Sequence, residues 1–170
     1  GELPDSPTNP PVALPAGYMQ VTSIAGTVFS DASGNFNFPG VTGPLNVSFS
    51  YNGTYNNVVN SNGPNYSKTV NLASGTGNSV TLNQPAAAEI TSQSTVFNAI
   101  NQMRDWTRNI NPTDSTSDFV AKANVNINST CNAYFDGSST NYYLAGGGCA
   151  ATSYDNVVWH EMGHWLNVKY

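Results

Sequence analysis

Apolar residues recur at two periods along this chain, and the change from one to the other falls near its middle. From Tyr18 to about Leu82 the period is two. Leu45-Asn-Val-Ser-Phe-Ser-Tyr51 alternates strictly, which places one side of a strand in a core and the other in water. Ile24–Phe29 and Asn35–Phe38 flank the turn-rich Asp31-Ala-Ser-Gly34 and predict a hairpin. Lys68–Leu72 and Ser79–Leu82 predict further strands between Gly, Asn and Ser turns. Short strands at this spacing predict a β-sandwich domain over 18–84. Past a boundary near Asn83-Gln-Pro85, Val96, Phe97, Ile100, Met103, Trp106 and Ile110 recur every three or four residues. That is one amphipathic helix over roughly 92–110, capped by Ser92 or Ser94 and ended by Asn111-Pro112, with its Met and aromatic stripe in the core. Val120–Thr130 returns to strand, and Tyr134-Phe135 with Asn141–Leu144 predicts a hairpin around Asp136-Gly137. After the Gly146–Gly148 loop, Val157–Val168 predicts a last helix with Asp155 or Asn156 as its cap. The expected fold class is mainly β with an α+β second part over 85–170. Residues 1–17, proline-rich and containing Pro10-Pro11, predict an extended arm.

Composition narrows the setting. Charged residues make up 9% of the chain, against about 25% in an average soluble domain, and Asn, Ser, Thr and Gly carry the polar surface instead. With a net charge of −5 and five scattered Lys and Arg, no stripe exists to track phosphates, so nucleic acid is not an expected partner. No segment is apolar enough to span a membrane. Cys131 and Cys149 are the only cysteines; one disulfide in a secreted protein is the leading reading, with two free thiols or a Cys2His2 site as alternatives. Asn46, Asn52, Asn65 and Asn128 stand in glycosylation sequons. Asp31, Ser33 and Asn35 miss the pattern of a calcium loop and are read as a turn.

The chemistry concentrates in His160-Glu161-Met162-Gly163-His164. Two histidines four apart project from one face of a helix, so their imidazoles can bind one zinc ion. Glu161, between them, is placed to take a proton from water at that ion. These are the only histidines in the chain. The alternative is a pair of ordinary surface histidines. A hydrolytic zinc site takes three protein ligands, and the motif supplies two.

With those residues in place, the second half resembles the N-terminal half of the catalytic domain of the gluzincins, the thermolysin-like and fungalysin-like zinc metallopeptidases. The resemblance runs from about 89 to 168 and is most specific over 124–166. Asn132-Ala-Tyr-Phe135 resembles that family's edge strand, which implies that Asn132, Ala133 and Tyr134 pair with substrate backbone; the alternative is a purely structural hairpin. The resemblance implies His160 and His164 as zinc ligands and Glu161 as the catalytic base. Gluzincins usually carry Asp four residues before the first ligand. Asn156 stands there, so a calcium site is not carried over. The family's third ligand is a Glu some twenty or more residues beyond the second His, whereas the sequence ends at Tyr170 and no Glu follows Glu161. Gly26–Phe38 resembles the opening hairpin of transthyretin-like accessory domains of secreted bacterial proteins.

Three functions follow as expectations. The first is the N-terminal portion of a secreted zinc metalloendopeptidase, acting on peptide or protein substrate and inactive without a C-terminal lobe that is either lost or present as a C-terminal fragment of the same precursor. The second is an extracellular assembly subunit, self-associating through strand edges, with the motif as ancestry. The third is a carbohydrate- or surface-binding module. A helix ending soon after His164 is expected to leave Trp159, Trp165 and Leu166 as an exposed apolar patch.

Overall fold

The computed structural model describes residues 7–170, so the first six residues of the expected arm lie outside it. β1 (Met19–Ser23) and β2 (Gly26–Phe29) form an antiparallel hairpin. β3 (Leu45–Gly53) pairs antiparallel with β1 on one side and with β5 (Ser67–Leu72) on the other. The end of β3 turns into β4 (Asn56–Asn60), which runs parallel to β6 (Ala121–Ile127). β8 (Thr140–Tyr143) follows parallel to β6, and β7 (Ala133–Phe135) closes the sheet antiparallel to β8. The order is β2-β1-β3-β4-β6-β8-β7, with β5 also on β3. A parallel step needs a long crossover. α1 (Ala88–Ile110) supplies it between β4 and β6, and α2 (Asp155–Lys169) follows β8.

The alternation in β3 does what the sequence indicates: Val47, Phe49 and Tyr51 are buried while Asn46, Ser48 and Ser50 face outward. Phe97 and Ile100 of α1 and Val158 and Met162 of α2 join them in one apolar cluster with Val58, Ala123, Val125 and Tyr142.

Several predicted elements shift. The first hairpin is β1–β2, one element earlier than expected, and Asn35–Phe38 and Ser79–Leu82 are not strands. Both are apolar enough to read as strands, yet they serve as irregular cover, with Phe36 edge-on to Phe49 at 5.5 Å. Among the described residues, then, the layer facing β1, β3 and β5 contains no strand. The Asp31 turn holds as read: its Oδ1 accepts the Ser33 and Asn35 backbone N–H at 2.9 Å each. β4 was hidden by its composition, since Asn-Asn-Val-Val-Asn is poor in strand formers. Its inward Asn56 and Asn60 enter polar networks instead, Asn56 Nδ2 donating to Phe97 O at 3.1 Å and Asn101 Oδ1 at 2.9 Å. Because β4 pairs with β6, hydrogen bonding runs across the 84/85 boundary.

α1 starts at Ala88, before the predicted position, with Ala87 as N-cap; Ser92 and Ser94 lie inside it and are buried. Asn83 performs the tethering that a cap would, accepting Ala87 N–H at 3.0 Å and donating to Thr91 Oγ1 at 2.9 Å. The helix ends before Asn111-Pro112, as read.

Candidate functional site

α2 begins after Tyr154, whose carbonyl accepts the Val157 and Val158 N–H groups at 3.0 Å each. Asp155, expected as a cap, is instead a buried residue of the first turn. The buried stripe of Val158, Glu161, Met162 and Leu166 seats the helix and turns His160 and His164 outward. Their Nε2 atoms approach to 3.0 Å, with ring centroids 4.6 Å apart and planes at 86°. Two nitrogens bound to one tetrahedral zinc at the usual bond lengths lie about 3.3 Å apart, so the pair fits a shared metal with an adjustment of a few tenths of an ångström. Among the described residues, no third His, Cys, Asp or Glu joins them to form a metal-binding group. Glu161 is 6% exposed, at the border between the outward histidines and the core.

The expected apolar patch is not where the sequence put it. The Trp159 indole N–H donates to Ala99 O at 3.0 Å, and Leu166 is buried. Trp165 packs between Phe119 at 5.0 Å and Phe135 at 5.3 Å. The chain's own α1 and β7 supply the cover that was expected from a partner. Val168 and Tyr170, one turn further on, are the exposed apolar residues of this helix end.

Among the described residues, β7 is the terminal strand of the sheet, paired on its β8 side alone. Asn132 and Tyr134 are exposed and Ala133 half-buried. The Phe135–Trp165 contact holds this edge against α2, so the structure brings Ala133 and Tyr134 to the element that carries the histidines. The start of β7 is pinned twice. Cys131 and Cys149 form the disulfide, with Cα atoms 5.2 Å apart, so neither is a free thiol or a metal ligand. Thr152 Oγ1 donates to Asn132 O at 3.0 Å and accepts Tyr143 N–H at 2.8 Å, joining the strand to the segment before α2.

Sequence reasoning missed Thr140 and Tyr142. Both were placed in or beside a predicted hairpin strand, but nothing in the alternation says that a phenol tip ends under a helix. Burial pushes the Tyr142 phenol well above its ordinary range; the Thr140 hydroxyl works against this and the Glu161 charge adds to it. A cleft of about 1080 Å³ lies elsewhere, between the β1–β3–β5 face and its irregular cover. Its lining holds no histidine and one side of it is the apolar face of β1 and β3, so it bears on packing more than on chemistry.

No protein-family model matches the chain, and no curated protein matches its sequence. Among the described residues, no helix is long and apolar enough to cross a membrane.

Proposed function

We propose that this chain carries the helix half of the zinc site of a secreted, gluzincin-type metalloendopeptidase, acting on a peptide laid along β7. The observation that carries the reading is the approach of His160 Nε2 and His164 Nε2 to 3.0 Å on a helix packed against an exposed antiparallel edge strand. In this reading His160 and His164 hold the metal together with a third protein ligand that the described residues do not supply. Zinc, when bound, supplies a Lewis acid that acidifies water and polarises the scissile carbonyl. Glu161 takes the proton from the attacking water and returns it to the departing amine. Asn132, Ala133 and Tyr134 offer the unpaired N–H and C=O groups of an edge strand to the substrate backbone. The disulfide and the low charge fit export from the cell.

A second reading keeps the ancestry and drops the activity: an extracellular assembly subunit. Among the described residues β2, β5 and β7 each pair with one strand, and these outer edges favour it. The test is hydrolysis of an unstructured protein by the natural polypeptide and by the 170-residue chain. The natural form is expected to cleave and to lose cleavage in Glu161→Gln, while the 170-residue chain alone shows little or none. Cleavage that survives Glu161→Gln overturns the peptidase reading. An inactive natural form that assembles with rising concentration favours the second.

A further inference from the structure

The outward side of α2 differs in composition from the rest of the helix. Asn156, His160, Gly163, His164 and Asn167 recur at three and four and so fall on one face. The asparagines and histidines are exposed, and nothing stands within 4 Å of a Cβ built on Gly163. No carboxylate or amine shares that face. Asp155 and Glu161 are buried, and Lys169 lies over the Phe119 ring at 4.0 Å. The same helix layer carries further exposed apolar area in Trp106 and Ile110 of α1 and in Val168 and Tyr170 at the end of α2.

A closed zinc site takes four protein ligands in a tetrahedron. His160 and His164 supply two through Nε2 atoms 3.0 Å apart, and among the described residues no further His, Cys, Asp or Glu joins them. A second copy of the chain brings an identical pair. A twofold axis through the metal sets the two pairs across from each other, which a tetrahedron allows and which is the commonest homodimer symmetry. Each chain carries a net charge of −5, so contact through acidic surface would be resisted. This face is neutral, and Gly163 leaves room beside the histidines for a close approach. We propose that the exposed face of α2 is a self-association surface, at which two copies of this chain share one zinc ion through His160 and His164 of each. Sharing of this kind rests on the two histidines being zinc ligands and needs no peptidase activity. It gives the site a second state. Zinc held by four imidazoles has no position left for water or substrate, so the shared form is latent and assembled. Scarce zinc is shared, whereas excess zinc gives each pair its own ion by mass action.

The test is a zinc titration of the 170-residue chain, read by light-scattering mass and by zinc bound per chain. The mass is expected to double near about half an equivalent of zinc and to return to the monomer value as bound zinc approaches about one per chain. A chelator should also restore the monomer. His160→Ala and His164→Ala should each stay monomeric at every zinc level, with their folding checked by circular dichroism. Zinc bound at one per chain with a constant monomer mass, even as protein concentration rises, overturns the sharing and leaves the histidine pair a zinc site. No bound zinc defeats both. A doubled mass that persists without zinc, or in the histidine variants, places the contact elsewhere and also overturns it.

Discussion

Asn56→Ala asks whether the strands before residue 85 and the helices after it are one cooperative unit. Asn56 is fully buried, and its amide donates to Phe97 O at 3.1 Å and Asn101 Oδ1 at 2.9 Å; Asn101 in turn donates to Gly17 O at 3.0 Å. Truncation leaves Asn101 Oδ1 without that donor in a residue only 6% exposed, a penalty of about 1–3 kcal/mol. Phe97 O keeps its place in the α1 ladder, so its loss adds less, about 0.5–1 kcal/mol. In the other direction, Asn56 Oδ1 is itself buried without a partner, and removing it recovers part of the cost. The balance is a loss of about 2 kcal/mol, or about 4–8 °C in Tm for a domain of this size. The assay is built into the sequence. All three tryptophans, Trp106, Trp159 and Trp165, follow residue 85, so fluorescence reads only the second part. The expected result is a single transition, with the tryptophan melt lowered together with the circular-dichroism melt. A tryptophan melt unmoved by Asn56→Ala, or a second transition, would refute the coupling through β4, β6 and α1.

Other expectations follow from single contacts. Replacing Cys131 and Cys149 by Ala opens a loop of sequence separation 18 and should cost about 3 kcal/mol in denaturant titration; a change below about 1 kcal/mol would mean the Thr152 clamp alone holds β7. A Cβ at Gly53 would lie 2.2 Å from the Tyr18 carbonyl oxygen, so Gly53→Ala should fail to yield folded protein. At Gly163 nothing stands within 4 Å of the same atom, so Gly163→Ala should stabilise by about 0.5–1 kcal/mol in a thermal melt. The Asp136 carboxyl is held well below the usual carboxylate range, chiefly by the Ser139 hydroxyl and then by the Ser138 and Ser139 N–H groups. A depressed folded pKa gives stability that is present above the ordinary 3.8 and is lost as pH falls below it. Hydrogen-exchange protection of Ser138 and Ser139 should therefore drop below that pH, and protection indifferent to pH would contradict the assignment.

Periodicity carried the elements whose burial follows a simple rule. β3 alternates because one face is core and the other water; α2 buries a stripe, whereas α1 buries Val96, Phe97 and Ile100 of its expected core stripe and leaves Trp106 and Ile110 exposed, since the last turns run past the sheet. It misplaced elements where polar side chains do the packing. β4 looks like a turn because Asn56 and Asn60 replace apolar residues, yet Asn60 accepts from Asn126 at 2.9 Å and Asn56 binds α1. The start of α1 was hidden because Asn83, five residues before Ala88, tethers it. In the candidate site, the spacing of His160 and His164 was sufficient to bring their rings together, since the helix alone fixes it. The edge position of β7 was legible from its resemblance, and the disulfide from the cysteine count. The burial of Tyr142 was not legible, because it depends on how β8 registers with β7 and how α2 lies on both.

Zinc binding by the purified 170-residue chain, titrated with rising zinc and read as metal bound per polypeptide at saturation, bears on the histidine pair without relying on activity. One zinc per chain, lost in His160→Ala and in His164→Ala and kept in Glu161→Gln, is the predicted result. No zinc at saturating metal, or zinc retained when both histidines are replaced, would contradict the assignment of His160 and His164 as a metal site.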